Sequence, residues 1–237
     1  MARHRSMAGS LSLLLASTIL LLASSAFGQQ DYVGKFDAYG GFDWMASPSA
    51  NLYQRGGGMQ VAYNWNRWLA LGVDYSNMSG NTSIITSYLK PSLQQQLATE
   101  IAAAGGLPPG YTLFVPYEGH TWTIAAGPAL NYRHFKNMTL FIHPNLGAIH
   151  ETATTHPKDL IQKLIVSQLA PSGKKEDTVV FYGVGGGIDY NFTKHIGIRT
   201  TVDYVHCDLF SDLLKESRNS WRLGVGPTFH FGKNVEK

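Results

Sequence analysis

From Phe36 to Phe231 the sequence passes through eight stretches in which one residue parity is apolar or aromatic and carries no charge, while the other is glycine, small, polar or charged. A side-chain period of two marks a half-buried strand. The stretches fall at residues 36–44, 59–65, 69–76, 121–132, 140–147, 180–190, 196–204 and 221–231. A water-soluble barrel turns its apolar row inward, whereas a barrel in lipid turns that row outward and encloses the polar one. The connections favour the second arrangement. Tight turns at 66–67, 133–137 and 191–195 follow strands two, four and six, and longer connections follow strands one, three, five and seven. Short turns on one side and long loops on the other characterise outer-membrane barrels, and strands of about 9–11 residues suit a tilted crossing. Pro128, Pro144 and Pro227 lie inside predicted strands, where proline removes a ladder hydrogen bond, so bulges are expected there.

Composition agrees. Charged residues make up 15% of the chain, glycines number 25, and mean hydropathy is −0.11, too low for a helical membrane protein. Residues 1–28 read as a secretory signal: Arg3 and Arg5, an apolar run from Leu11 to Ala23, and small residues Ser24, Ala26 and Gly28 near a cut after Ala26 or Gly28. Its loss takes the formal charge from +3 to about +1, which calls for no nucleic-acid partner. The lone Cys207 excludes an internal disulfide. Residues 29–237 form the expected domain, an all-β, eight-stranded antiparallel transmembrane β-barrel with short helices in its long extracellular loops and both termini in the periplasm.

Two groups of residues are candidates for function. The inward row carries Asp37, Asp43, Asp74, Asp189, Arg199, Asp203 and Arg222, with His143 and His230. So narrow a barrel is filled by its own side chains, and buried charge is tolerated only when paired. The cluster therefore reads as a packed interior, or as a switchable plug gating a narrow water path. In the long connections, Leu89, Leu93, Leu97 and Ile101 recur every four residues, and Leu160, Ile161, Leu164, Ile165 and Leu169 make a second apolar face. A shorter third comprises Leu209, Phe210, Leu213 and Leu214. Such helices either bury these faces on each other over the barrel mouth or present them to a ligand or partner. His120, His150, His156 and His206 lack metal-site spacing, and no metal or cofactor is expected.

Tyr39-Gly40-Gly41-Phe42, the Gly183–Tyr190 strand and the terminal Gly226–Phe231 strand resemble the small outer-membrane barrels of the OmpA/OmpX-like type. A weak internal repeat fits: Gly56–Gly58 precedes Asp74-Tyr75 at the spacing that separates Gly185–Gly187 from Asp203-Tyr204. The resemblance implies a monomer embedded in outer-membrane lipid and recognised by the barrel-assembly machinery through Phe229 and Phe231, although Gly232–Lys237 extends past the last aromatic. The His-x-Ser motif of the family's lipid A deacylases is replaced by His206-Cys207-Asp208, so no enzymatic activity is expected. The expectation is a structural or surface-binding role carried by extracellular loops that meet a surface ligand or host-cell partner. The alternative is a narrow gated pore for ions or small solutes.

Overall fold

A computed structural model describes residues 30–111 and 113–235, so the signal segment lies outside the described residues. Eight strands run β1 (Gly34–Ser47), β2 (Leu52–Asn64), β3 (Leu69–Ile85), β4 (Phe114–Tyr132), β5 (Met138–Thr155), β6 (Lys174–Asn191), β7 (Ile196–Cys207) and β8 (Arg218–Asn234). Each pairs antiparallel with the next, and β8 closes on β1. Closure satisfies every strand edge, which lipid cannot do. Helix α1 (Pro91–Ala103) lies between β3 and β4, and α2 (Leu160–Leu169) between β5 and β6.

The uncharged row faces outward. Phe42, Val180 and Leu146 are 72%, 70% and 63% exposed, an arrangement water would penalise at about 25 cal/mol per Å². Aromatics rim this belt: Trp44, Trp122, Tyr182, Tyr204 and Trp221 toward the loops, and Phe36, Tyr63, Tyr132, Tyr190 and Phe231 toward the turns. Tyr204 packs edge-on against Trp221 at 5.3 Å, and Phe36 against Tyr63 at 5.5 Å. Among the described residues no helix is long and apolar enough to cross a membrane.

Three local expectations are corrected. The proline bulges do not form. Ala126 pairs Leu146 and Leu130 pairs Ile142, so the β4–β5 register is unchanged across a gap in which Pro128 faces Pro144. Two residues lacking an N–H share one interruption. Pro227 likewise sits in a gap of the β1–β8 ladder between Val225↔Phe42 and Thr228↔Tyr39.

Second, much of the two longest connections is strand. β3 and β4 stay paired from Asn77↔Trp122 to Ile85↔Phe114, carrying the hairpin roughly 27 Å past the aromatic rim. Above the lipid both faces meet water or cap, so the apolar/polar contrast fades there.

Third, residues 209–213 form turns and Leu214 an isolated antiparallel bridge to Leu89, not a helix. The Phe210 amide donates to Asp177 Oδ2 at 2.6 Å, its φ is +55°, and Leu209 and Phe210 pack into the barrel mouth.

Candidate functional site: the filled lumen and the capped mouth

All seven predicted lumen charges project inward, and they lie in layers. At the turn end, Asp37 faces His230 Nδ1 at 2.7 Å, accepts from Asn64 at 2.8 Å and lies 3.6 Å from Arg133. Next, Arg199 donates from Nε and Nη2 to both Asp189 oxygens at 2.6 and 2.7 Å, and its guanidinium lies over the Phe141 ring at 4.8 Å. A third layer centres on Arg222, which bonds Asp74 at 2.6 Å and Asp203 at 2.9 Å and also reaches Ser76 and Thr123. His143 Nε2 stands 3.3 Å from the other Asp203 oxygen. Asp43 is a further carboxylate close to Arg222.

Glycines make room for these groups. A Cβ on Gly58 would collide with the Asp43 carboxylate, and one on Gly185 with that of Asp203. The inner row alternates glycine with charge because a narrow lumen cannot hold a side chain at every position.

Sequence reading missed a fourth layer at the loop end. Arg218 donates to Glu151 at 2.6 Å and to Ser47 at 3.1 Å, with Thr121 donating to Glu151 at 2.9 Å. Arg218 is 1% exposed and Glu151 0%. The signal was there: continuing the inward parity of β5 past Ile149 reaches Glu151, and running that of β8 back from Arg222 reaches Arg218. Arg133, in a predicted tight turn, was missed because a turn carries no parity; it folds back into the lumen.

Above this layer the loops form an apolar cap. Leu89, Leu97, Ile101 and Ile165 are buried in one cluster with Val115 and Val166, and Leu93, Leu164 and Leu169 pack against it. Ile161 also packs against it, so of the nine residues predicted on these two faces only Leu160, 82% exposed, points away. Both helices form where their ends are satisfied. Pro91 opens α1, whose end turns through Gly105 and Gly106 at positive φ, with Gly106 donating to Ile101 O at 2.8 Å. Asp159 caps α2 by accepting from the Gln162 amide at 2.8 Å, and the Tyr111 hydroxyl reaches its other oxygen at 2.7 Å. Those two bonds hold the Asp159 carboxyl below its ordinary range. The β7–β8 connection joins the cap through a Lys90-to-Leu213 backbone bond at 2.9 Å and a Lys175–Asp212 ion pair at 2.5 Å. A cavity of about 70 Å³ lined by Val115, Ile165, Leu169 and Leu213 lies beneath it.

The loop-end histidines are spread apart. His150 stacks on Trp122 at 5.3 Å, and His206 bonds Asn219 at 2.7 Å. Among the described residues, no three His, Cys, Asp or Glu side chains converge as a metal site.

An outward apolar belt, a closed eight-strand ring and a charge-filled lumen point to one kind of protein, and residues 12–229 match the family model of the outer membrane protein beta-barrel domain. The chain belongs to that family. Its place is therefore the bacterial outer membrane, where barrels in general keep their short turns periplasmic and their longer loops outside. Among solved structures, it is similar to Neisserial surface protein A at 12% identity, covering 83% of this chain and 96% of that one with a TM-score of 0.51. It is also similar to the outer membrane protein OprG of Pseudomonas aeruginosa at 10% identity, covering 87% and 100% with a TM-score of 0.51. At these identities the likeness is one of fold. No curated protein matches the chain.

Proposed function

We propose that this family member is a surface-binding protein, with the barrel as anchor and the extracellular cap as the binding element. The observation that carries this reading is the use of the lumen: four arginine–carboxylate layers cross it, and the cap closes it above. Because the apolar helix rows face one another, a partner meets their polar sides. On α1 these are Ser92, Gln95, Gln96 and Thr99, all exposed and uncharged. Such a surface suits a partner bound by neutral hydrogen bonds, such as a glycan or an uncharged protein patch. Cells displaying the wild type should be retained on glycan- or matrix-coated surfaces, and cells displaying the Gln95→Glu/Gln96→Glu variant should be released. Equal retention of both would refute this role for the α1 face.

The rival reading, a gated pore, is favoured by one observation. Two small cavities of about 20 Å³ each flank Asp74 and His143, and Asp203 Oδ1 and Asp74 Oδ1 lack hydrogen-bond partners among the described residues. Each has room for about one water. Gln60, Asp74 and His143 line both cavities, and Arg222 lines one of them. Single-channel recording in planar bilayers separates the readings: the binding protein is silent, whereas openings altered by Arg222→Ala would establish the pore.

A further inference from the structure

The periplasmic end carries a charge pattern that, Arg133 and Asp37 apart, neither the lumen layers nor the cap uses. Each strand descending to it has an aromatic near its end followed four residues later by a cation: Tyr63 and Arg67, Tyr132 and Lys136, Tyr190 and Lys194, Phe229 and Lys233. Among the described residues this end holds Lys35, Arg67, Arg133, Lys136, Lys194 and Lys233 against Asp31 and Asp37, a net of +4. The outer end is nearly balanced, with eight cations against nine carboxylates over residues 47–58, 77–121, 151–177 and 208–218. The excess therefore belongs to one face, where it acts on periplasmic solutes and the inner-leaflet surface.

Two of these cations meet in a cavity. A polar hollow of about 360 Å³ opens between the 133–137 turn, the 191–195 turn and residues 30–34, with Lys136 and Lys194 contributed by different turns and Arg133 within it. That volume lies in the range of small-molecule sites. Asn137, Asn191 and Thr193 add neutral donors. The Asn191 carbonyl already faces His230 Nε2 at 2.8 Å, which leaves its amide N–H groups for a ligand. Of the two carboxylates lining the hollow, Asp37 is engaged by His230, Asn64 and Arg133, leaving Asp31 as the opposing charge. Lys136 and Lys194 are exposed and make no ion pair among the described residues.

We propose that the periplasmic mouth is an anion site that takes a phosphoryl group. Lysines act as compact point charges for phosphate, and two of them set across a cavity match a dianion better than a single carboxylate. The phosphoryl group comes either from a soluble periplasmic phosphate compound or from the headgroup of an anionic inner-leaflet phospholipid.

The test uses the mature barrel in phosphatidylcholine nanodiscs, titrated with inorganic pyrophosphate and followed by backbone amide NMR shifts. Saturable shifts are expected in both turns, 133–137 and 191–195. Affinity should fall at least about tenfold in Lys136→Ala/Lys194→Ala, as loss of two charge-assisted hydrogen bonds requires. Lys163→Ala on α2 should leave it unchanged. A second arm replaces part of the lipid with phosphatidylglycerol and omits pyrophosphate; shifts at the same turns, lost in the double variant, would assign the site to a lipid headgroup. Because both lysines are exposed, the variant should fold, and the spectrum of the remaining barrel reports this directly. The absence of saturable shifts in both arms, or shifts that survive Lys136→Ala/Lys194→Ala, would overturn the proposal.

Discussion

The Arg218–Glu151 layer offers the sharpest energetic test of how this lumen is built. The two side chains are 1% and 0% exposed and joined at 2.6 Å, so removing either strands the other as a buried, unpaired charge. Breaking such a pair costs about 3–5 kcal/mol, whereas replacing both members with apolar residues of similar volume is often neutral or better. Arg218→Met alone and Glu151→Leu alone should each lower stability by about 3–5 kcal/mol. The double variant loses two polar groups, but their neighbours keep partners: Thr121 still accepts from Gln54 at 2.8 Å, and Ser47 still pairs with Ser220 at 2.6 Å. It should therefore lie within about 2 kcal/mol of wild type, a coupling of at least roughly 4 kcal/mol. The assay is urea unfolding of the barrel refolded in lipid vesicles, read by fluorescence of its five tryptophans and by gel mobility. The slope with urea should stay constant while the midpoint moves. Additive losses, with the double variant about 6–10 kcal/mol down, would refute the claim that this layer is a paired, water-excluded plug.

Further outcomes follow from the same geometry. Gly185→Val forces a side chain into the Asp203 carboxylate and should cost about 1–3 kcal/mol in the same urea assay. Gly40→Val, with nothing within 4 Å of its Cβ, should stay within about 0.5 kcal/mol of wild type. Ile142→Arg places a charge on the lipid face opposite Gly186, midway between Tyr182 and Tyr190, and should cost about 2–4 kcal/mol in vesicle-based unfolding. The depressed Asp159 pKa sets a pH dependence for α2: the cap's contribution is complete above the ordinary carboxylate pKa and is lost as pH falls through the folded value. Hydrogen exchange should show the first turn of α2 losing protection in acid, and Asp159→Ala should show that loss already at neutral pH, with the barrel strands unchanged in both.

The strand count, the facing of each row and the seven inner charges were legible because lipid imposes a rule on every second residue. A single charge in the outward row of a strand such as residues 180–190 would break it, so parity alone assigns Asp189 to the lumen and Ile188 to the membrane. Legibility ended where the lipid does. Beyond Trp122 the strands continue between two wet surfaces, alternation no longer separates their faces, and the upper β3–β4 hairpin reads as loop. Glu151 and Arg218 were not assigned to the lumen because each lies just outside its recognised stretch, although the inward parity continues to both. The helical periodicity of residues 89–101 and 160–169 was plain. Whether those apolar rows face a partner or each other was not, because both outcomes bury the same leucines.

Local chemistry repeated along the chain thus determined a closed, lipid-facing barrel with a charged interior, since each strand must meet the membrane's demand independently. Tertiary structure decided which charges pair, because Arg222 meets Asp74 from a strand distant in sequence and Arg218 meets Glu151 across the barrel mouth. It also decided that the loop helices close over that mouth, and that Lys136 and Lys194, 58 residues apart in the chain, share one cavity. These arrangements depend on ring closure and register, which bring together side chains whose separation in the sequence carries no trace of their contact.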